Sequence, residues 1–452
     1  QPMNYLSQLE SLRKITEEEK EKNKIIEKRR SHTDYQGFIC SITSPTSQNI
    51  GLHKFWALFG FSNAYIYKYH HNWLHILRKY MSSVKDDKKR YYDVFLDGII
   101  LGQLSVEGVH NIVKYIETEK FNDLEKYGEC TVVYVDYTRL NVNVNTHGGR
   151  ILVPVVRLKD NRVPVHYGDI HGMTKLSEFK NKYPGVIDYV DTHWVDHNSL
   201  SMSMSDIEKY LDEIHLNYGP NATYKFSAVH LSPYAQYSLS IALNPFASYQ
   251  AAVRNLHVAK HLVSSITCNP GMEYASQDKT RKHLIRGSRP LTQGPIDKYL
   301  GVNSMPVVVQ MFLEMSSDIL TQEDSYLMNW NSIARGVLAI YEYKTYEMYI
   351  SSKSDDKFYT PTAKNRYFGY NFSKLDSDGI VALNAEVQHG DVLMCKVESV
   401  GDDNVHVMPK VEVYDQYSPG RVCKIERYKY DVEAREYVIV KICKTSLGDA
   451  AD

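Results

Sequence analysis

The sequence predicts a multidomain α+β protein in which strands predominate. Its 452 residues correspond to about three domains at roughly 150 residues each. The 36 tyrosines against 15 prolines are typical of a chain rich in strands and loops. After Arg335 the apolar residues follow strand patterns through most of the remaining chain. With 43% hydrophobic and 24% charged residues, the chain can bury a sizeable core.

Charge and cysteine usage narrow the class of protein. The formal net charge is −1, so any contact with nucleic acid must come from local basic clusters. None of the six cysteines forms a C-x-x-C pair, which argues against a zinc ribbon and indicates buried thiols in a reducing compartment. No run of about 18 apolar residues predicts a membrane span, and the N-terminus is too polar for a signal peptide. We therefore expect a cytoplasmic protein without membrane contact.

The first half of the chain predicts alternating helices and strands. Residues 4–30 begin as a helix and continue into a charged run, Glu17–Lys24, that is typical of a solvated helix or a mobile loop. Tyr92–Gly102 alternates and turns at Asp-Gly, which predicts a hairpin followed by a helix. Two strands are predicted next, "CTVVYVDYTRLNVNVN" and "RILVPVVRL", and a third begins in Tyr183–Asp191.

The second half predicts two helices and then mostly strands. Met204–His215 has the pattern of a short capped helix, and Tyr249–Ile266 that of an amphipathic helix. The basic segment Lys279–Arg289 is interpreted as a phosphate-binding loop or, slightly favoured, a solvated surface loop.

Two acidic residues, Glu323 and Asp324, follow the apolar run "MPVVVQMFL" and a short connection. Adjacent acids in a loop are usually only solvated. The alternative is a carboxylate pair near a metal and a phosphate, because Mg²⁺ usually binds one or two carboxylates together with substrate phosphates. Two acids supply only part of such a site, so this alternative requires further ligands elsewhere.

Other chemical motifs are weak or absent. His193 and His197 have the H-x₃-H spacing of a metal site, but their segment continues a predicted strand, so we favour no metal there. The sequence contains neither a G-x-x-x-x-G-K-[ST] phosphate loop nor a G-x-S-x-G elbow.

Several spaced segments together resemble one family, the second-largest (β-type) subunit of multisubunit DNA-dependent RNA polymerases. "TQEDSYLMNWNSIARG" is similar to N-Q-E-D-S-x-x-x-N…D-R-G, and "LNPFASYQAAVRNLHVAK" to I-P-F…Q-S-P-R-N-x-Y-Q-x-x-x-x-K. Further matches occur in family order across nearly the whole chain: "RRSHTDYQGFICSITSPTSQNIGL", "VFLDGIILG", "HGGRILVPVVRL", "GVIDYVD" and "KLDSDGIVALNAEVQHGDVLMCKV".

The resemblance implies a barrel-like core that binds the RNA–DNA hybrid, together with a wall insertion and an external domain. The expected parts are a fork-like segment (1–55), an external α+β domain (56–228), a core facing the hybrid and the active site (229–338), a wall- or flap-like region (339–435) and a truncated return strand (436–452).

The resemblance also implies site residues. Glu323 and Asp324 correspond to the acids near the second Mg²⁺ and the incoming nucleotide. They are expected to contact this metal indirectly or to share it with the partner subunit. Arg254 corresponds to an arginine that faces the nucleoside triphosphate. Basic residues of the fork-like segment are expected to hold nucleic-acid phosphates: Arg13, Lys14, Arg29 and Arg30. The Mg²⁺ itself is expected to be held mainly by a partner β′-type subunit.

Two departures from the family pattern stand out. The E-T-P-E-G stretch becomes "TSPTSQ" (Thr43–Gln48), without the two glutamates and the glycine. The sequence ends at "KTSLGDAAD", where Ala450 occupies the place of the first lysine of the family's terminal motif. We therefore expect a central and C-terminal portion of a divergent subunit, of the kind encoded by large phages or other DNA viruses, acting in the host cytoplasm.

The implied activity is nucleotidyl transfer from NTPs to the RNA 3′ end within an assembled complex. Expected partners are a β′-type largest subunit, single or split, the remaining β pieces, template DNA, transcript RNA, NTPs and, where one exists, a specificity factor. The alternative is a non-catalytic β-like scaffold or a nucleic-acid-binding assembly module. Glu323, Asp324 and Arg254 favour the catalytic function, whereas the loss of the terminal lysine motif favours the scaffold.

Overall fold

The computed structural model describes residues 4–17, 25–46, 48–64, 67–81, 90–219, 221–266, 280–289, 291, 309, 312, 327–351, 356–361, 369–397, 409–429 and 434–447. The chain divides into two compact units. One contains residues 10–260, and the other contains residues 1–9 together with 261–452. Among the described residues, both units contain helices and strands, and the strands form several separate sheets. The predicted mixture of helix and sheet is therefore confirmed.

The described helices, in chain order, are α1 (Tyr5–Leu12), α2 (Ile26–Arg29), α3 (Tyr67–Tyr80), α4 (Val106–Asn122), α5 (Leu124–Tyr127), α6 (Tyr167–Ile170), α7 (Leu176–Lys182), α8 (Thr192–His197), α9 (Met204–Tyr218), α10 (Leu239–Ala242), α11 (Ala252–Ser264) and α12 (Trp330–Ala334). Three short 3₁₀ turns cover Thr33–Tyr35, Pro233–Gln236 and Ala247–Tyr249.

The described strands are β1 (Lys14–Thr16), β2 (His53–Phe55), β3 (Phe61–Ser62), β4 (Tyr91–Leu96), β5 (Ile99–Ser105), β6 (Val132–Asp136), β7 (Asn141–Asn145), β8 (Ile151–Arg157), β9 (Ile187–Val190), β10 (Leu200–Ser201), β11 (Ala228–His230), β12 (Thr280–Leu284), β13 (Ile340–Ser351), β14 (Lys357–Phe358), β15 (Glu386–Val387), β16 (Val392–Val397), β17 (Lys410–Val413), β18 (Gly420–Tyr428) and β19 (Ala434–Ser446).

A four-stranded sheet in the unit of residues 10–260 has the order β5-β4-β7-β6. The predicted hairpin β4–β5 is confirmed, and both turn residues have positive φ, 50° at Asp97 and 83° at Gly98. This is the backbone that an Asp-Gly turn supplies at little cost. The segment predicted as one strand, 130–145, is instead the antiparallel pair β6–β7. Helices α3 and α4 cover the sheet with the fully buried side chains of Trp73, Leu77, Ile112 and Ile116.

A second sheet of this unit joins β10, β11, β8 and β3 in that order, and β9 also pairs with β8. Its core contains the buried Phe38, Leu152, Val155 and Trp194. The strand predicted to continue through His193 and His197 is wrong, because the chain turns into α8. The carboxylate of Asp191 starts that helix by accepting a hydrogen bond from the Trp194 amide (2.9 Å), as an N-cap does.

The unit of residues 1–9 and 261–452 is built on a five-stranded sheet with the order β12-β13-β19-β18-β15 and a three-stranded sheet, β14-β16-β17. One apolar cluster includes residues from both sheets, among them Tyr346, Met394, Val422 and Val440. The predicted loop at Lys279–Arg289 is wrong over Thr280–Leu284, which pairs with β13 as strand β12. Arg281 is buried there, at 9% exposure.

Candidate nucleotide and nucleic-acid site

Arg254 lies in the first turn of α11 and its side chain is exposed. An exposed guanidinium at this position on the helix is accessible to an anionic ligand. The next residue, Asn255, points inward and is only 1% exposed. The pair therefore places one polar side chain in solvent and the other in the protein interior.

Asn255 fixes the loop that precedes the helix. Its Nδ2 donates to the carbonyl of Ala247 (2.7 Å), and its Oδ1 accepts from Nδ2 of Asn244 (2.9 Å). Between these anchors, Phe246 adopts a left-handed backbone with φ 59° and is 67% exposed. A bulky residue in this region is strained and persists only when its surroundings hold it. Asn255 therefore positions the loop next to Arg254.

The predicted acids Glu323 and Asp324 lie outside the described residues. The described chain resumes at Leu327, and α12 follows with Asn329 as its N-cap. Convergence of these acids with Arg254 on one pocket stays a prediction.

Arg13 makes an internal contact in the described structure. Its Nη2 donates to the carbonyls of Ala57, Leu58 and Gly60 at 2.6–3.0 Å, and its guanidinium lies 5.9 Å from the Trp56 ring centroid. Burial lowers the pKa of Arg13, and the nearby Glu10 carboxylate partly opposes this. These contacts tie α1 and β1 to the loop after β2, whereas the predicted phosphate contact stays untested.

The three other predicted basic residues lie on or near the antiparallel strand pair β1–β2, whose strands are separated by residues 17–52. Lys14 is exposed on β1, opposite Phe55. Arg29 Nη1 donates to the carbonyls of Gln48 (2.6 Å) and Ile50 (3.1 Å), so its guanidinium holds the loop that carries "TSPTSQ". Arg30 follows and is exposed. The β1–β2 pairing also places Thr16 opposite His53, whose proximity to these cations the sequence did not reveal.

Buried ion pairs connect the segments that resemble family motifs. Arg150 of "HGGR" donates through Nη1 to Oδ2 of Asp191 (2.7 Å), the last residue of "GVIDYVD". Asp188 of the same segment accepts from Lys120 (2.5 Å) and from Arg157 (2.7 Å). Burial alone would raise the pKa of Asp188, but the two cations keep it below its ordinary value. Sequence reasoning missed these pairs because the partners are 31 to 68 residues apart.

Asp97, in the β4–β5 turn, also contacts α3 and the loop after β7. Its carboxylate accepts from the amide and hydroxyl of Thr146 (2.5 and 2.6 Å), and contacts His70 (2.6 Å) and His147 (3.2 Å). Burial would raise the pKa of Asp97, but these hydrogen bonds lower it to about 2. The Asp-Gly pair thus forms the turn and also fixes the "NTHGGR" loop.

His193 and His197 share one face of α8 and stack on Tyr134, with ring centroids 6.0 and 5.0 Å away. Over the described ranges, no group of three or more His, Cys, Asp or Glu side chains is arranged to hold a metal ion.

Comparison with known proteins identifies two segments. The family model for RNA polymerase Rpb2, domain 3, matches residues 1–60, and the model for RNA polymerase Rpb2, domain 6, matches residues 241–447. Both models describe the same subunit, and together they cover more than half of the chain. The chain belongs to the family of second-largest RNA polymerase subunits.

Curated relatives align along most of the chain. DNA-directed RNA polymerase subunit Rpo2 of Sulfolobus acidocaldarius is 26% identical over 419 residues, covering 87% of this chain and 35% of the relative. DNA-directed RNA polymerase II subunit RPB2 of Encephalitozoon cuniculi is 22% identical over 420 residues, 88% of this chain and 35% of the relative. DNA-directed RNA polymerase subunit 2 of Acanthamoeba polyphaga mimivirus is 21% identical over 467 residues, 94% of this chain and 38% of the relative.

The chain thus spans about a third of the length of the polymerase subunits it matches. The family recognition made from the motifs is confirmed, and a viral relative is among the matches. Among the helices of the described residues, none combines the length and the apolar character needed to cross a bilayer.

Proposed function

We propose that this polymerase-subunit chain forms the side of the active centre that faces the NTP and the RNA–DNA hybrid in a DNA-dependent RNA polymerase. The observation that carries the proposal is the order of the two family models, domain 3 at residues 1–60 and domain 6 at 241–447. In the assembled enzyme the chain contributes to nucleotidyl transfer from an NTP to the RNA 3′ end.

The proposed architecture keeps the predicted parts: a fork-like segment (1–55), an external domain (56–228), a hybrid-binding barrel-like core (229–338), a wall-like region (339–435) and a return strand (436–452). The pairing of β13 with β19 supports the wall-like insertion. These strands pair from Ile340 opposite Ser446 to Ser351 opposite Ala434. The segment between them begins and ends at the same end of this strand pair. It contributes β15 and β18 to the same sheet and forms the separate sheet β14-β16-β17.

In the proposed chemistry, the two subunits supply different charged groups to the same active centre. Arg254, exposed on α11, would neutralise charge that develops on the leaving pyrophosphate. Glu323 and Asp324 would contact the second Mg²⁺ directly or through water, since carboxylate oxygens are the ligands that this ion prefers. Bound Mg²⁺ stabilises the attacking and leaving oxygens. The main metal carboxylates would come from the β′-type subunit.

The proposed partners follow from a subunit that acts only in a complex. They are the largest subunit, single or split, further β pieces, template DNA, transcript RNA, NTPs and, where one exists, a specificity factor. The proposed compartment is the cytoplasm, that of the host for a viral or phage enzyme. Lys14, Arg29, Arg30 and Arg13 are proposed to meet nucleic-acid phosphates, which position a strand without reading its sequence.

A non-catalytic scaffold is the second candidate. The observation that favours it is the internal use of Arg13, whose Nη2 contacts three carbonyls. In a scaffold the fold-holding contacts would persist, and the acids would be dispensable for RNA synthesis.

Purification of the native complex that contains this chain tests the proposal. Mass spectrometry should identify a partner that carries an N-A-D-F-D-G-D motif. In that complex, Asp324→Ala should slow elongation strongly at limiting NTP or Mg²⁺ and leave subunit assembly intact. Unchanged elongation under those conditions would overturn the catalytic assignment and favour the scaffold.

A further inference from the structure

The carboxylate of Glu10 is buried in the unit of residues 10–260, and the residue is only 3% exposed. Its Oε1 accepts hydrogen bonds from the backbone amide and from the hydroxyl of Ser240, both 2.7 Å long. Burial lowers the pKa of Arg13, and the Glu10 charge opposes this shift, so the two ionic groups interact. A buried carboxylate is costly unless hydrogen bonds or a nearby cation compensate it, and Glu10 has both.

Glu10 supplies the cap of helix α10. The N-cap residue of this helix, Ser238, makes no capping hydrogen bond with its own side chain. Amides in the first turn of a helix have no acceptor within the helix, so an outside group must provide one. Oε1 of Glu10 accepts from the Ser240 amide across 230 residues of sequence. Glu10 therefore fixes α10 to α1.

A row of hydroxyl groups connects this carboxylate to the loop that carries "TSPTSQ". Oγ of Ser240 lies 3.4 Å from Oγ of Ser238, which lies 2.7 Å from Oγ1 of Thr43. Thr43 occupies the position of the first glutamate in the pattern E-T-P-E-G when Pro45 is matched to its proline. The loop thus lacks a carboxylate at one end of the hydroxyl row, and α1 provides one at the other end.

Helix α10 leads directly to the loop that precedes Arg254. The Asn244 amide donates to the carbonyl of Ile241 in α10 (2.9 Å), and Nδ2 of Asn244 donates to Oδ1 of Asn255 (2.9 Å). Asn255 is the neighbour of Arg254 in the first turn of α11. A shift of α10 would therefore be transmitted through Asn244 to the start of α11.

We propose that Glu10 is a positioning residue of the polymerase reaction, whose carboxylate takes the place of the missing loop glutamate and, by capping α10, sets the position of Arg254. The inference rests on the proposed contact between Arg254 and the nucleoside triphosphate. The same serine donors are accessible from either side of the hydroxyl row. Thr43 already contacts Ser238, and a glutamate at this position would extend further toward Ser240.

The test returns the carboxylate to the loop. Single-nucleotide addition by the assembled polymerase is measured for Glu10→Ala alone, with Thr43→Glu, and with Thr46→Glu. Glu10→Ala should raise KM for NTP about fivefold with a smaller change in kcat, because a misplaced binding group weakens its contact with the substrate. Addition of Thr43→Glu should bring KM back to within about twofold of the unsubstituted chain.

Thr46→Glu is the matched control for this restoration. It supplies the second glutamate of the pattern on the same loop, but at an exposed position, so it should not lower the KM of Glu10→Ala. If Glu10→Ala does not assemble, Glu10→Gln replaces it. Glutamine keeps the size and an acceptor but loses the charge, and it should raise KM by about threefold.

Denaturant unfolding of the same chains separates positioning from stability alone. Lower stability with an unchanged KM, in Glu10→Ala or in its replacement Glu10→Gln, would overturn the inference. Equal restoration by Thr43→Glu and Thr46→Glu would also overturn it. Arg254→Ala in the same assay distinguishes the two proposals. If Arg254→Ala impairs addition and the Glu10 variants do not, the inference alone fails, whereas no effect of Arg254→Ala removes the proposed function and the inference with it.

Discussion

Arg150 and Asp191 form a buried ion pair, 2.7 Å between Nη1 and Oδ2, that joins the loop before β8 to the start of α8. Arg150 also donates to the carbonyls of Cys130 and Asn145, and Asp191 caps the helix with its other oxygen. The side chains are 8% and 3% exposed. Removal of either partner would leave an uncompensated charge in the interior.

We therefore predict that Asp191→Ala lowers the free energy of unfolding of this unit by about 3–5 kcal/mol, the usual cost of breaking a buried pair. Denaturant unfolding of the full chain, followed by circular dichroism, measures the change. Arg139→Ala is the control, because its contact with Asp136 is 3.8 Å long and Arg139 is 81% exposed. The control should change stability by no more than about 1 kcal/mol. Equal effects of the two variants would contradict the role assigned to the buried pair.

Asp97 predicts a dependence of stability on pH. Its pKa in the folded protein is lowered to about 2 from the model-peptide value of 3.8. A lowered pKa contributes stability that is fully present above about pH 4 and is lost as the pH falls toward 2. Asp97→Asn should therefore cost about 1–2 kcal/mol at neutral pH and progressively less in that acidic range. A cost that is the same at pH 6 and pH 2.5 would contradict this account, and Asp160→Asn, at an exposed residue, serves as the control.

Substitutions of the adjacent residues Arg13 and Lys14 should have different effects on stability. Arg13→Gln removes the donor to three carbonyls, so it should destabilise the chain by roughly 1–3 kcal/mol. Lys14→Gln, on an exposed strand position, should leave stability unchanged. If Lys14 meets a phosphate, its loss should reduce by about one the slope of log affinity for nucleic acid against log salt concentration. An unchanged slope for Lys14→Gln would remove that contact.

Much of the fold could be predicted where the signal is local. The Asp97-Gly98 turn, α4 and α11 all follow from turn chemistry or helical spacing within a few residues. The strand expected at His193 is wrong because the Asp191 side chain caps a helix there, which ends the preceding strand. The loop expected at Lys279–Arg289 failed because tertiary pairing with β13 outweighs the basic composition.

The site could be predicted only in part, for a physical reason. The resemblance supplied Arg254, but no local pattern shows that Asn255 anchors Ala247 and Asn244. His53 likewise comes close to Lys14 only when antiparallel pairing brings β2 beside β1. Contacts between residues far apart in sequence depend on the assembled fold, which local propensity does not specify.

The anchoring role of Asn255 predicts a positioning effect. Asn255→Ala should free the Ala247 carbonyl and the strained Phe246 turn, and thereby misplace the start of α11. In the assembled polymerase we expect KM for NTP to rise several-fold with a smaller change in kcat. Asn255→Asp keeps an acceptor for Asn244 but sets a buried carboxylate oxygen against the Ala247 carbonyl, so KM should rise at least as much as in Asn255→Ala. His257→Ala, an exposed neighbour on the same helix, is the control. A fall in stability with no change in KM would indicate a structural role alone.

The central claim is that Arg254 and Asp324 act on one triphosphate. A double-mutant cycle tests it most directly: single-nucleotide addition by the assembled polymerase is measured for Arg254→Ala, Asp324→Ala and the double variant. If both side chains face the same nucleotide, the losses in kcat/KM should be coupled by at least about 1 kcal/mol. Losses that add to within about 0.5 kcal/mol, as for distant independent sites, would contradict the claim.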